Sequence, residues 1–149
     1  MPHPSLAFDL HALTARLDRE ADRLLLAHLG LPYRRFLALL LVGEGLPTQK
    51  ALADRLGVTE PSTSRMVGVL AGAGLLHASP DPSGGNRRRL ALTPAGKEKV
   101  EASAALLEGR FARLVAQSGV DYERYTDDTR QLIRALDRPA EPSPTDPEV

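Results

Sequence analysis

Hydrophobic residues near the start of the chain recur with a helical period. Between Ser5 and Leu29 the spacings are three, four or seven residues, at Leu6, Leu10, Leu13, Leu17 and Leu24. This predicts a long amphipathic helix with a narrow apolar seam of the coiled-coil kind. Gly30 and Pro32 end it, because glycine suits a left-handed C-cap and proline cannot continue a helix. Two interpretations stay open for the seam: a core contact within the chain, or part of a dimer interface.

The apolar pattern continues into two shorter predicted helices. From Tyr33 to Glu44, the run FLALLLVG is hydrophobic nearly all round, which predicts a central, buried helix. Thr48 follows a proline as a capping residue and predicts the start of a third helix. Gly57 then stands where a helix-turn-helix needs a residue with positive φ.

The fourth predicted helix, capped by Thr59, has two distinct faces. Its buried stripe follows i, i+3, i+4, i+7, at Thr63, Met66, Val67 and Leu70. Helix geometry then fixes the opposite face, which holds Pro61, Ser62, Arg65, Gly68, Val69 and Gly72. Small side chains allow a helix to enter a DNA major groove, where its N-terminal residues reach the base edges.

A two-stranded ribbon is predicted after the fourth helix. One strand runs from Leu75 to Ser79, and the alternation from Arg87 to Leu92 predicts its partner. The segment PDPSGGN between them consists of turn-forming residues. Arg87, Arg88 and Arg89 place positive charge at the tip, where it can lie over phosphates or enter a minor groove. Together with the preceding helices, the ribbon predicts a winged helix-turn-helix.

Two further helices and a tail complete the predicted architecture. Thr93 caps a helix that begins at Pro94 and reaches about Ser118, and Asp121 caps a last helix through about Leu136. The chain is therefore predicted to be mainly α with a small β wing. Its predicted parts are an N-terminal dimerisation helix in residues 1–32, a winged helix-turn-helix in residues 33–95, C-terminal dimerisation helices in residues 96–137, and a disordered, acidic, proline-rich tail in residues 138–149.

Charge and composition narrow the function. The net charge is zero, yet residues 47–95 hold six basic against three acidic side chains, so this part carries +3 and the remainder −3. The sign of this asymmetry suits a DNA partner. The chain has no cysteine, and its four histidines are scattered, so we expect no disulfide, metal site or cofactor. No signal peptide or membrane-spanning run is visible, which favours a cytoplasmic protein without a membrane partner.

Two other classes of function compete with DNA binding. The alternative is a winged-helix protein–protein interaction module without DNA binding, but such a module has no reason to carry three arginines at its wing. An enzyme is the weaker competitor, because no nucleophile–base pair, phosphate loop or metal cluster is visible. A DNA-binding transcription regulator that is not an enzyme accounts best for the pattern.

The central third of the sequence resembles the MarR family (multiple antibiotic resistance regulators). The matching stretches are LADRLGVTEPSTSRMVGVLAGAGLL and RRRLALTPAG, from Leu52 to Gly96, and the order of the outer helices also fits. The resemblance implies a homodimer that binds a pseudo-palindromic operator on double-stranded DNA, mostly as a repressor. Many members release DNA when a small-molecule effector binds. The family's recognition-helix positions map to Pro61, Ser62, Ser64 and Arg65, and its wing arginine maps to Arg87 or Arg88.

Roles for individual residues follow from this layout. We expect Arg65 and Ser62 to contact base edges. Ser64, Thr48 and Gln49 are expected to contact phosphates, and Arg87, Arg88 and Arg89 to make the salt-dependent wing contact. By analogy, a ligand pocket would lie where the first two helices meet the winged unit, with candidates His11, Arg16, Tyr33 and Arg35. The predicted dimer interface comprises Leu6, Leu10, Leu13, Leu17, Phe111, Leu132 and Ile133.

The wing departs from the family pattern. The family usually has an aspartate shortly before the wing arginine, at a set distance from the Leu-Thr pair that is Leu92-Thr93 here. Counting back from Thr93, the arginine position holds Asn86, and glycines stand in the aspartate region. Either Arg87 takes the role in a shorter wing, or the pairing is lost, or Asp81 substitutes for the missing aspartate.

Overall fold

A computed structural model describes residues 5–82 and 88–139 of the chain. It contains six helices and one two-stranded sheet in these residues, which confirms the predicted mainly α fold with a small β wing. In chain order, the elements are α1 (Leu6–Leu29), α2 (Tyr33–Gly43), α3 (Gln49–Leu56), α4 (Glu60–Gly72), β1 (Leu76–Pro80), β2 (Arg88–Leu92), α5 (Pro94–Ser118) and α6 (Tyr122–Leu136). The first strand thus begins and ends one residue later than predicted.

The helix starts are set by side-chain caps that the sequence predicted. Thr48 and Thr59 accept hydrogen bonds from the backbone N–H groups of Ala51 and Ser62, each at 3.2 Å. Asp121 accepts one from Arg124 at 3.1 Å. These bonds satisfy donors that have no partner inside the helix.

The helix α2 differs, because its N-cap is Pro32, which makes no side-chain cap. The N–H of Tyr33 instead donates to Asp22 Oδ1 at 2.9 Å, a carboxylate on α1. Two consecutive helices are therefore joined by a cap that comes from a distant position in the sequence.

The chain divides into two compact units, residues 1–108 and 109–149. In the first unit, α2 is central, with Ala38 and Leu39 fully buried. The other helices and both strands contribute buried apolar side chains to the same core, among them Leu25, Leu52, Val67, Leu70, Leu76 and Leu90. This agrees with the prediction of a buried second helix and of a fourth helix with one inward face.

The wing strands are antiparallel, and Ala78 pairs with Leu90 near their centre. A third segment extends the sheet: Thr48 forms a bridge with Arg89, and the N–H of Leu90 donates to the carbonyl of Pro47 at 3.0 Å. The base of the wing is thereby fixed to the residues that start α3.

The junction between the wing and α5 depends on Thr93 and Gly96. The Thr93 hydroxyl donates to the Gly74 carbonyl at 2.6 Å and accepts from the Gly96 N–H at 3.0 Å. Gly96 is buried, and a Cβ there would overlap the carbonyl of Leu75. Only glycine allows this approach, so the LTPAG segment fixes where α5 leaves the wing.

The second unit contains the end of α5 and the helix α6. Gly119, with φ 77°, separates the two helices. The rings of Phe111 and Tyr122 pack with their centroids 6.4 Å apart. No residue of α6 is buried, although the apolar residues Leu132, Ile133 and Leu136 lie close together near its C-terminal end. The predicted tail falls almost wholly in residues 140–149, outside the described residues, and the predicted four-part division stays a prediction.

No described helix is by itself long and apolar enough to cross a membrane. Only α1 and α2 taken together, across a bend of 88°, have that length and composition.

Candidate nucleic-acid interface

The turn between α3 and α4 orients the fourth helix. Gly57 adopts φ 65°, the left-handed conformation that the sequence predicted, and caps α3. The fully buried Thr63 then donates through its hydroxyl to the Thr59 carbonyl at 3.0 Å. Val67 and Leu70 are buried on the same side of the helix, while Met66 is half-buried. The buried stripe therefore determines which face of α4 points outward.

That outward face contains most of the predicted recognition residues. Pro61, Ser64 and Arg65 are exposed, as are Gly68, Val69 and Gly72 farther along, whereas Ser62 is half-buried. No carboxylate within the described ranges pairs with Arg65. An unpaired guanidinium on a small-residue face has the donors needed for the O6 and N7 atoms of guanine.

Thr48 and Gln49, the two residues predicted to contact phosphates at the start of α3, are both half-buried, but their side-chain oxygens differ in hydrogen bonding. The Thr48 hydroxyl already accepts the capping bond from Ala51 but keeps its own proton for a further acceptor. The Gln49 Oε1 atom is buried and has no hydrogen-bond partner among the described residues. The next residue, Lys50, is exposed in the first turn of α3. Lys50 is one of the six basic residues of residues 47–95 and adds a positive charge beside Thr48, but it was not among the predicted site residues.

The wing arginines occupy different surroundings. Arg87 lies outside the described residues, and Arg88 is exposed at the start of β2, opposite Pro80. Arg89 Nε lies 3.8 Å from Asp81 Oδ1, and the Asp81 side chain is only 10% exposed. Within the described residues, Asp81 therefore lies close to an arginine, Arg89, and the three predicted alternatives for the wing stay open because Arg87 is outside those residues.

A cavity of about 850 Å³ lies between the first two helices and the helix-turn-helix. Its floor is apolar and includes Leu37, Leu56 and Met66, while Asp18, Asp22, Arg19, Arg23 and Arg34 supply charge. Of the four predicted pocket residues, Tyr33 lines this cavity, and His11, Arg16 and Arg35 do not. Burial, with a smaller contribution from Asp18, raises the pKa of Tyr33, so its phenol stays protonated at neutral pH.

The residues predicted for the dimer interface fall into two groups, one in each unit. In α1, Leu6 is 70% exposed and Leu10 is exposed, whereas Leu13 and Leu17 are half-buried and Leu24 is buried. Burial of this leucine seam by the described residues therefore increases along α1, from Leu6 to Leu24. In the second unit, Leu132 and Ile133 are 59% and 53% exposed, and Phe111 is half-buried.

The described part of the chain has no cluster of metal-binding side chains. No group of three or more His, Cys, Asp or Glu side chains there could hold a metal ion. The described residues present an outward face of α4, an arginine-bearing wing, and a partly apolar cavity that α1, α2, the helix-turn-helix and Met66 of α4 line.

Several solved structures have the same fold. Wild-type apo MarR from Escherichia coli aligns with a TM-score of 0.75 at 19% identity, over 89% of this chain and 98% of that one. A MarR family protein from Mycobacterium tuberculosis, Rv2887 in complex with salicylic acid, aligns with a TM-score of 0.69 at 21% identity, over 90% and 98%. MepR from Staphylococcus aureus, a transcription regulator of a multidrug efflux pump, aligns with a TM-score of 0.66 at 20% identity, over 89% and 97%.

The match to a family model and the matches to solved structures both point to MarR. No curated protein sequence matches the chain significantly. Residues 29–88, from the end of α1 to the first residue of β2, match the model of the MarR family. That segment contains the turn, the outward face of α4 and the first wing strand. Over this winged helix-turn-helix the chain matches the MarR family, and its fold is that of solved transcription regulators such as MarR and MepR.

Proposed function

We propose that the chain is a homodimeric repressor of a pseudo-palindromic operator, whose affinity for DNA a small molecule lowers. The observation that carries the proposal is Arg65 on the outward face of α4, which is exposed and has no ion-pair partner within the described ranges. The helix-turn-helix core behind α4 is rigidly packed, because Thr63 and Val67 are fully buried. A buried inner face leaves the opposite face free to enter a groove.

Direct contacts with bases come from the N-terminal half of α4. Arg65 donates two hydrogen bonds to a guanine, which contributes about 1–3 kcal/mol of discrimination against other bases. Ser62 is half-buried, so its contribution is smaller than that of Arg65. In a two-fold symmetric dimer, the two α4 helices enter successive major grooves about 34 Å apart.

Phosphate contacts surround this helix. Ser64, Thr48 and Lys50 lie at or near the N-termini of α4 and α3, where the helix dipoles also favour an anion. In the wing, Arg88 is exposed and has no ion-pair partner within the described ranges, whereas Arg89 is engaged with Asp81. We therefore assign the wing's phosphate contact to Arg88, together with Arg87, and a supporting role to Arg89.

A second copy supplies what the single chain leaves uncovered. Leucines are exposed in the first half of α1, and apolar residues are exposed in α6. Burying each side chain of this size in a dimer interface would contribute about 1.5–3 kcal/mol. A DNA-binding dimer also accounts for a pseudo-palindromic site. The proposed place of action is the cytoplasm, where the DNA of a bacterial or archaeal cell lies.

The effector site is the 850 Å³ cavity lined by Tyr33. It contacts α1 and α2 on one side and Met66 of α4 on the other, so a bound molecule would bias the position of the recognition helix. Its apolar floor and nearby arginines suit a small aromatic acid, and Rv2887 binds salicylic acid.

Selection of bound duplexes from a random DNA pool tests the proposal. We expect a palindrome whose half-site centres lie about ten base pairs apart. Arg65→Ala should relax the preference at one position of each half-site. Arg88→Ala should weaken binding to all sequences and lower the slope of log K against log salt by about 0.9.

Two outcomes would contradict it. If no DNA sequence is enriched and the protein elutes from heparin at low salt, the chain is a protein–protein module. If a palindrome is enriched but both variants bind it like the wild type, the assignment of α4 to the groove is wrong.

A further inference from the structure

Two glycines of α4 are not explained by the fold. Gly68 lies inside the helix and Gly72 is its last residue, and a Cβ at either position would meet no atom within 4 Å. Neither has a positive φ. Glycine inside a helix is less favourable than alanine because more backbone entropy is lost. This contrasts with Gly96, where the packing of the chain itself excludes a side chain.

Both glycines lie on the face that points away from the core. A helix turns by about 100° per residue, so Arg65, Gly68 and Gly72 follow one another along a nearly straight line. The fully buried Val67 and nearly fully buried Leu70 lie on the opposite side. The face is therefore free of side chains for about two turns beyond Arg65, apart from Val69 on its flank.

Val69 is unusual in its exposure. It is 46% exposed, and no other large hydrophobic side chain in residues 27–82 and 88–108 is exposed to a similar degree. The chain buries its other large apolar residues in this region at least partly, although Val69 sits in a rigid helix next to them. An isolated apolar side chain on a surface is ordinary, but this one adjoins a bare stretch of helix in the proposed DNA-binding face.

We propose that α4 lies along the major groove over its whole length and that Val69 determines specificity by contacting the 5-methyl group of a thymine. The proposal rests on the proposed function and deepens it. Gly68 and Gly72 allow the helix backbone to approach the base edges, and Val69 provides the apolar contact that distinguishes thymine in the groove. Val69 lies four residues beyond Arg65, about 6 Å along the axis. With base pairs spaced about 3.4 Å apart, the thymine lies roughly two base pairs from the guanine that Arg65 contacts.

Replacement of thymine by deoxyuridine tests the methyl contact directly. Each thymine of the selected operator is replaced in turn, which removes a single methyl group and keeps the base pair. We expect wild-type affinity to fall about fourfold at one position per half-site, the equivalent of one buried methyl group. Val69→Ala should bind the thymine and deoxyuridine duplexes equally. The control is Val120→Ala, which removes a valine of similar exposure, 47%, from outside α4 and should keep the wild-type difference.

The close approach is tested by Gly68→Ala. Because space around Gly68 is open, alanine should raise the urea midpoint of unfolding and yet lower operator affinity roughly tenfold, since an added methyl group in a tight contact is costly. Gly109→Ala makes the same change inside α5, also in open space, and should stabilise the chain without changing DNA affinity.

The outcomes separate this inference from the proposed function. If wild-type protein selects a palindrome that needs Arg65, but no deoxyuridine position is sensitive and Gly68→Ala binds normally, the role of the second half of α4 is overturned while the repressor proposal stands. If the wild type selects no DNA, both are overturned.

Discussion

The helices α4 and α6 are both amphipathic in sequence, but they differ in how far the chain buries their apolar sides. In α4 the same chain covers most of the buried stripe: Thr63, Val67 and Leu70 are at most 1% exposed, and Met66 is half-buried. In α6 no residue is buried, and Leu136 remains 85% exposed. Periodicity identifies which side of a helix avoids water, but it does not say whether the cover comes from the chain or from another molecule. The apolar side of α4 is therefore covered by the chain itself, whereas the apolar side of α6 is not covered within the described residues.

The largest expected effect concerns the contacts that hold the winged unit together. Gly96→Ala would force a methyl group into the Leu75 carbonyl, so we expect a loss of about 3 kcal/mol or more in the free energy of unfolding. Urea titration followed by circular dichroism measures it. Gly109→Ala, where space is open, is the matched control. Equal stability of the two variants would show that the wing and α5 are not rigidly joined at Gly96.

The second effect concerns the exposed side of α6. In the proposed homodimer, Leu132→Glu combined with Ile133→Glu should weaken association by about 3 kcal/mol or more, because two apolar side chains that a second copy would bury become charged. Sedimentation equilibrium across micromolar concentrations measures the change. Gln131→Glu, at an adjacent exposed position, should leave association intact. If the wild type is monomeric at these concentrations, no second copy covers the apolar residues of α6.

A smaller effect is expected at the hydroxyl that bridges the wing and α5. Thr93→Val keeps the shape but leaves the Gly74 carbonyl and the Gly96 N–H without their partner, at a cost of about 2 kcal/mol. The midpoint of urea unfolding should fall accordingly. Thr14→Val, an exposed threonine in α1, serves as the reference. If Thr93→Val is as stable as the reference, water replaces both bonds.

The smallest effect tests how α1 is attached. Lys99 Nζ donates to the Leu29 carbonyl at 3.0 Å, at the C-terminal end of α1, where a cation is also favoured by the helix dipole. Lys99→Met should cost about 1 kcal/mol and increase hydrogen exchange in the last turn of α1. Lys97→Met removes an exposed lysine nearby and should change neither. Unchanged exchange in both variants would mean that packing alone holds this end of α1.

Much of the winged helix could be predicted because its determinants are local. Thr48, Thr59 and Asp121 were identified as caps from residue type and position, and each accepts the expected bond. The positive φ of Gly57 and the inward stripe of α4 likewise depend on neighbours within a few residues. For the same reason the outward position of Arg65 followed directly from the sequence.

The parts that escaped prediction depend on residues far apart in the chain. The cap on α2 comes from Asp22, eleven residues away, and Asp81 lies close to Arg89, eight positions farther along the chain. Three of the four proposed pocket residues do not line the cavity, because the direction of a side chain on a helix depends on how the helix is rotated against its neighbours. The sequence also gave no reason to separate Gly68 from Gly96.

By itself, the sequence determined the order and type of the elements, the turn of the helix-turn-helix and the face of α4 that points outward, because periodicity, caps and glycine preferences act over one or two turns. Only the tertiary structure decided that burial of the α1 seam increases from Leu6 to Leu24, that Arg89 lies close to Asp81, and that Gly96 is required by packing while Gly68 and Gly72 are not. Those distinctions arise from contacts between segments that approach one another only after folding, and no local pattern encodes them.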